Sequence, residues 1–352
     1  RRGVTHQMSL SGMGGGVFTD PQQNEQMSGT LDLLAGIERW LLWGDKLWLD
    51  ENGVETNYDG FVKTIMASGE GDSGSLIDMA GEPLDPEIFE TVAEKFLRRG
   101  YLQDFSAIRC LMTPSVLSDL GRVRLNAERR ELTMGRPMNG GYSIGTPLVG
   151  YLSQRGFLPF EESVFTHRVD TNKPLAVAET GSVAAPTLAS VTPAADAASK
   201  FTAAQTSFYH VSSINDSGES LIVSSSSTAI AIGEKVTTTI NKVTGATAYM
   251  VYRQDTGSSA DITKAFAIGT VFQPAGATVA FVDLNQIRPD TGITLFYNAD
   301  PEDIVIAQLA PLIKWPLAIT NTTVEFLLLL YHVLALKAVE RTVLLVNVGR
   351  RP

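Results

Sequence analysis

The chain has 352 residues, 44% of them hydrophobic, and a net charge of −10. That is enough apolar material for a packed core in two or three domains, and it excludes a wholly disordered polymer. The acidity, with a sequence pI of about 5.0, argues against tight non-specific duplex binding, which needs Lys and Arg to neutralise phosphates; it suits a wall that must not stick to enclosed DNA. The lone cysteine, Cys110, excludes an intrachain disulfide and a small disulfide-stapled scaffold.

In chain order, residues 1–29 are rich in Gly, Ser, Met and Gln and are expected to form an extended arm. The chain opens on Arg1-Arg2 with no basic-then-apolar signal segment, as a processed product or a chain lacking its upstream residues would. Gly12, Gly14, Gly15 and Gly16 do not make a dinucleotide loop, because Val17 stands where the third glycine of G-x-G-x-x-G belongs. Thr30 to Trp43 is expected to be a helix, capped by Thr30, ended by Gly44, with Leu34, Ile37 and Leu41 at helical spacing beside Trp40. Residues 45–67 hold short apolar pieces and the turn Tyr58-Asp59-Gly60, and 68–82 look like an exposed loop. The clearest helix follows, with Asp85 as N-cap, Pro86 at its first position, Glu87 in the first turn and Gly100 after the end. Its apolar face is Ile88, Phe89, Val92, Phe96 and Leu97. Phe105 to Met112 reads as a buried strand, and Thr113-Pro114-Ser115 opens a short helix ending at Gly121, an α/β order.

From about Glu179 the composition shifts to Ser, Thr, Ala and Val, without Trp, up to about residue 290. Strands are expected at 208–214, 221–224, 236–240, 248–253 and 277–282, separated by turns such as 215–218 and 255–257. Short strands at this spacing indicate an all-β sandwich of roughly 100 residues. Tyr249 and Tyr252 are odd-spaced, so one is expected in the core and the other outside. Ala185-Pro186 and Pro289-Asp290-Thr291-Gly292 look like linkers, and the earlier composition returns after them, so the β domain reads as inserted. Beyond it, 303–309 and 311–316 are strand-like, 324–338 fits either a strand pair or a helix, 342–348 is a strand, and Arg350-Arg351-Pro352 is expected to fray. The run Phe326 to Leu336 is too short to span a membrane.

Chemistry-bearing constellations are lacking. His6, His167, His210 and His332 share no metal-ligand spacing, and no Cys pair assists them. Gly71-Asp72-Ser73-Gly74-Ser75 resembles a serine-protease nucleophile segment, but only His6 lies upstream, within the glycine-rich arm, so a surface loop is the expected reading. The acids between Asp78 and Glu90 coincide with a helix start, where capping accounts for them. No catalytic, cofactor-binding or metal residue is assigned, and no enzyme activity is expected.

Ile37-Glu38-Arg39-Trp40-Leu41-Leu42-Trp43-Gly44-Asp45 followed by Tyr58-Asp59-Gly60-Phe61, the helix–strand–helix order of 85–121, and the closing segments 326–336 and 342–349 resemble HK97-like phage capsid proteins, in which a spine helix leads through Gly-Asp and Asp-Gly segments. Tyr209 to Ser220, Gly245 to Arg253 and Phe281-Val282-Asp283 are similar to motifs of fibronectin type III and other Ig-like modules, here in an unusual order. The resemblance implies an α+β HK97-like fold with spine helix, peripheral and axial domains, and an inserted Ig-like sandwich. Its parts would be an arm or E-loop remnant (1–29), the first host part (30–179), the insert (180–292) and the second host part (293–352). The E-loop hairpin must be truncated, missing upstream or reduced to a strand around Arg2 to Leu10, and no cross-linking Lys or Asn can be aligned.

The implied function is that of a major capsid protein of a tailed bacteriophage (Caudoviricetes), self-assembling into hexamers and pentamers of an icosahedral head around double-stranded DNA touched only non-specifically. Decoration or cement and portal proteins would be further partners. The virion would be its location after assembly in the host cytoplasm, with no membrane association. Residues 1–29 would order across neighbouring subunits, 324–338 would serve the subunit's own core, and the insert would project outward, so that deleting 183–290 leaves assembly intact. The competing readings are an encapsulin-like bacterial compartment shell, a secreted Ig-domain adhesin or glycosidase accessory protein, and a serine protease using Ser73. The shell reading requires the stretches before 180 and after 292 to share a sheet.

Overall fold

The computed structural model describes residues 2–5, 21–47, 57–70, 74–98, 107–128, 148–153, 156–166, 183–215, 218–272, 276–317 and 323–351. The fold is mixed α+β, with few helices and many strands spread over several sheets. The described residues fall into two compact units: one takes 2–45, 57–64 and 300–338, the other 46–47, 65–299 and 339–351.

The first unit contains the longest helix, Pro21–Trp43. It starts well before the expected Thr30, because Pro21 supplies a first-turn residue with φ already set and no N–H to orphan. Thr30 therefore lies inside the helix, and its hydroxyl donates to the Gln26 carbonyl at 2.9 Å. Its buried hydrophobic side chain is Leu42, whereas Leu34, one of the three residues at helical spacing, is 55% exposed. The strand Arg2–Thr5 runs antiparallel to Thr323–Leu329, which pairs on its other edge with Ile313–Pro316. Residues 2–5 thus pair along one edge in a sheet of this unit, and 21–29 are the first turns of its helix. The helix departs from the expected arm at 21–29, the strand agrees with the one expected around Arg2 to Leu10, and 6–20 lie outside the described residues.

The ambiguous stretch 324–338 resolves into two strands, because each finds a different partner: Thr323–Leu329 pairs with Ile313–Pro316, and His332–Leu336 with Ile304–Gln308. Its Phe326 is buried under the Lys314 ammonium, 4.7 Å from the ring centroid.

Gly44-Asp45 and Asp59-Gly60 come together. Gly60 N–H donates to the Gly44 carbonyl at 2.9 Å, and Lys63 pairs with both Asp45 and, at 2.9 Å, Asp59. A Cβ on Gly60 would stand 2.7 Å from Gly44 N and 2.8 Å from Leu42 O, both rigid backbone atoms. Gly60→Ala is expected to lower the stability of this unit by about 1–3 kcal/mol through that overlap. A shifted denaturation midpoint in tryptophan fluorescence checks it, Trp40, Trp43 and Trp315 all belonging to this unit.

The second unit is organised by a six-stranded sheet in the order Leu76–Asp78, Thr342–Val348, Gly292–Asn298, Ile108–Met112, Gly156–Glu162 and Gly150–Ser153. The two strands from after 291 lie side by side between strands from before 163: Leu295 faces Leu344 on one side and Leu111 on the other, and Leu344 faces Leu76 in turn. The helices Pro86–Arg98 and Pro114–Glu128 bury Phe89, Val92, Phe96, Val116 and Leu120 with Ile108, Cys110, Met112, Phe296, Val343 and Leu345 of the sheet. The second helix continues through Gly121, where a Cβ would meet open space, so no turn is forced there.

The expected loop 68–82 holds the edge strand Leu76–Asp78, parallel to Thr342–Val348, with Ser75 buried and its hydroxyl bonded to the Val339 carbonyl. Arg350 and Arg351 are not frayed. Their Nε and backbone N–H reach Asp119 Oδ2 at 3.4 and 3.2 Å, and the Arg351 guanidinium pairs with Asp85.

Between 183 and 286 the same unit forms a two-sheet sandwich. One sheet orders Thr228–Ile230, Gln205–Asn215, Ala248–Gln254 and Phe266–Phe272; the other orders Thr278–Asp283, Glu234–Asn241 and Thr187–Ala195. Tyr209, Val211, Val236, Ile240, Tyr249, Val251, Ile268 and Val279 fill the space between. The strand Thr187–Ala195 follows Ala185-Pro186 directly and, with Phe266–Phe272 and Thr228–Ile230, lacks the strong alternation a sequence reading needs. Of 221–224, only Val223–Ser224 is strand.

Both tyrosines of the central strand are buried, which corrects the expectation of one outside. Tyr249 faces the sandwich core and accepts from Val243 N–H at 2.7 Å. Tyr252 joins Ile214, Met250 and Ala267 in a second apolar cluster on the opposite face and donates to Glu219 at 2.5 Å.

Candidate functional site

The titratable groups singled out in the sequence do not converge. His6, His167 and Ser73 lie outside the described residues. His332 and Tyr58 hydrogen-bond at 2.8 Å with their rings edge-on, and burial pushes the Tyr58 hydroxyl up to about 12. Cys110 is buried in the sheet, where desolvation and then the Glu161 charge hold the thiol protonated. The acids of 78–90 are dispersed: Asp78 binds Asn347 and Lys200, Asp85 binds Arg351, and Glu90 accepts from the Tyr151 hydroxyl at 3.2 Å. Among the described residues, no group of three or more His, Cys, Asp or Glu side chains is placed to hold a metal ion, and no helix is long and apolar enough to cross a membrane.

His210 is buried in the sandwich between Ser224 at 2.8 Å and Gln254 at 3.2 Å. Burial lowers its pKa below the ordinary 6.5, with the Gln254 bond and the Asp261 charge opposing only in part. The folded chain therefore keeps this imidazole neutral where the unfolded chain protonates it. As pH falls below about 6.5 the unfolded state binds the extra proton, so stability declines down to the lowered folded pKa. Urea midpoints of the sandwich are expected to fall between about pH 7.5 and pH 5, and His210→Gln is expected to flatten that slope.

A strongly perturbed cluster lies where the sequence carries no signal for it. It is the node of Arg253, Asp255, Asp283, Asn285 and Tyr209 in the sandwich, where Arg253 Nη1 meets Asp283 Oδ2 at 2.6 Å and Nη2 meets Asn285 Oδ1 at 2.7 Å. Arg253, Asp283, Asn285 and Tyr209 are all buried, and the Tyr209 hydroxyl is satisfied by Asp283 at 2.8 Å. Perturbed groups of this kind can mark active sites, but here each member is occupied by another and the node stabilises the fold.

An open cleft of about 480 Å³ lies between the helix Pro86–Arg98 and the edge strand, lined by Glu70, Asp78, Thr91, Lys95 and Arg98 among others. It offers opposed charges, and its Thr91 hydroxyl donates to the Glu87 carbonyl at 3.3 Å.

The surface features of note are apolar. Met27, Leu31 and Leu34 form an exposed stripe at i, i+4, i+7 on the long helix, and Leu309 and Trp315 are exposed in the same unit. In the second unit, Val149, Leu152 and Phe157 are exposed on the sheet's edge hairpin. Contiguous apolar surface and open sheet edges are features of proteins that associate.

No protein-family model matches the chain. Over 71 residues it is 34% identical to the major capsid proteins of Staphylococcus phage K and Staphylococcus phage S25-3, a stretch that covers 20% of this chain and about 15% of the length of each of those relatives.

Proposed function

We propose that this chain is a structural, non-enzymatic shell subunit: the major capsid protein of a tailed bacteriophage, with an HK97-like host body in two chain segments and an Ig-like sandwich inserted between them. The observation that carries the reading is the six-stranded sheet, in which the two adjacent strands of 292–348 lie between strands of 76–162 on both sides, across the excursion of 183–286. A single sheet stitched from both sides makes one plate-like body, and the partial likeness to phage major capsid proteins supports giving that plate the role of a shell tile.

Function in such a tile is geometry. Each copy presents different edges to its neighbours, and heterologous contacts of this kind close into rings of six and five. The exposed apolar stripes of the long helix and the edge hairpin would supply the cores of those contacts, with charged rims around them. The acidic inner wall would meet packaged DNA without holding it. Virion location and any decoration or portal partner follow from this reading.

Electron microscopy of the purified full chain tests it. The expected result is closed shells with six- and five-coordinated clusters, and a monodisperse monomer at all concentrations would defeat the reading. Shells that hold a protein cargo in place of DNA in the native host would move the assignment to an encapsulin-like compartment.

A further inference from the structure

We propose that Asp78, Asn347, Lys200 and Arg288 form a rigid mount that fixes the sandwich in one orientation on the six-stranded sheet. The flanking segments of the sandwich read as linkers in the sequence, and linked domains swivel by default. The hydrogen bonds contradict swivelling here. Asp78 closes the edge strand, and its Oδ1 accepts from Asn347 Nδ2 at 2.8 Å and from Ala80 N–H at 2.9 Å. Its Oδ2 accepts from Lys200 Nζ, a sandwich residue, at 3.1 Å, and Lys200 also pairs with Glu70.

Lys200 is itself held. Its N–H donates to the Leu284 carbonyl at 2.9 Å, and its carbonyl accepts from Asn285 Nδ2 at 3.1 Å. Asn285 in turn accepts from the buried Arg253 guanidinium. A continuous hydrogen-bonded path therefore runs from the sandwich core to the edge strand of the sheet and, through Asn347, to the strand beside it.

The exit segment is pinned from the other side. Asn347 Oδ1 accepts from Arg288 N–H at 2.8 Å, Asn347 Nδ2 also donates to the Gln286 carbonyl at 3.0 Å, and Arg288 Nη1 donates to the Ala80 carbonyl at 2.6 Å. Ala80, Asn285 and Asn347 all adopt positive φ, near +55° to +59°. For Ala80 that conformation is unfavourable, and it persists because both its N–H and its carbonyl are engaged by the mount. Burial raises the Asp78 carboxyl's pKa, but the bonds from Asn347, Ala80 and Lys200 bring it below its ordinary range, so the mount stays charged at neutral pH. This inference is independent of the shell reading.

The test uses spin labels on Ile232→Cys in the sandwich and Leu152→Cys on the edge hairpin, positions 67% and 73% exposed, while Cys110 is buried. Labelled chains are diluted into unlabelled chains, and the distance distribution is read by pulsed electron resonance. A single narrow distribution is expected, broadening in the Lys200→Met, Arg288→Met double variant. Exchange of the Ala80 amide should accelerate about tenfold or more in that variant, with the amides of 248–254 unchanged. A broad distribution in the parent chain would overturn the proposal with no variant needed, and so would an unchanged narrow distribution with unchanged Ala80 exchange in the double variant. Asp78→Asn gives a milder second probe should the double variant fail to fold, with intermediate broadening expected and none counting against the mount.

Discussion

Replacing Arg253 by methionine is expected to cost the sandwich about 3–5 kcal/mol, because it leaves a buried carboxylate without its counter-charge. Arg253 is 1% exposed and lies on the central strand Ala248–Gln254. Its guanidinium serves Asp283 at 2.6 Å, Asn285 at 2.7 Å and Asp255 at 3.0 Å, and it stacks over the Phe201 ring, 5.1 Å from the centroid. Burial alone would favour its neutral form, but Asp283 and Asp255 more than offset this, so it remains charged. Methionine replaces most of the apolar stem and none of the donors, which isolates the charge effect. Adding Asp283→Asn to Arg253→Met is expected to restore part of the loss, since the orphaned charge goes too. The double-mutant cycle gives the coupling. Native-state hydrogen exchange of the 248–254 amides reads it, as the sandwich contains no tryptophan. A loss below about 1 kcal/mol would mean that water reaches Asp283 and that the node behaves as a surface pair.

That node shows where sequence reading stops. Its members lie at 209, 253, 255, 283 and 285, and nothing local in any of these segments signals that they meet. A lone Arg at the end of an alternating strand reads as solvent-facing, and the same alternation leaves one of Tyr249 and Tyr252 outside. The strand is instead covered on both faces, because Ile214, Met250 and Ala267 build a second cluster behind it. The mount is equally hidden: Asn347 sits in an apolar strand, and its partners are more than 50 residues away along the chain. What was legible depended on local chemistry. Apart from Asn347, Thr342–Val348 is a run of β-branched and leucine residues with one strand partner on each side. Pro86–Arg98 carries a proline start, an acid in its first turn and one apolar face. Where a local signal was outranked, as when Pro21 displaced Thr30 as the helix start, the boundary moved and the element type did not. The Gly44-Asp45 and Asp59-Gly60 segments read locally as a helix end and a turn, and what joins them is the backbone crossing that a Cβ would block.

Phe89→Ala is expected to be comparably severe, at about 3–5 kcal/mol, and it tests the shared plate directly. Phe89 is fully buried on the inner face of the helix Pro86–Arg98. Its ring is stacked on Tyr151 at 5.1 Å, tilted against Phe160 at 5.3 Å, and edge-on to Phe296 at 5.9 Å. Tyr151 and Phe160 precede the sandwich in the chain, and Phe296 follows it. One ring therefore ties both halves of the host sheet to one helix, and aromatic pairs of this geometry add about 0.5–1.5 kcal/mol each beyond area burial. Phe157→Ala, on the exposed edge hairpin, is the control and should stay within about ±0.5 kcal/mol for the isolated chain. The decisive reading is which amides lose protection in Phe89→Ala. If the sheet is one cooperative body, Leu295 and Leu344 lose protection together with Leu111, because each strand is the next one's hydrogen-bond partner. If Leu111 and its neighbours loosened while Leu295 and Leu344 kept their full protection, the two chain segments would be separate folding units, and a tile built from both could not carry load from one edge to the other.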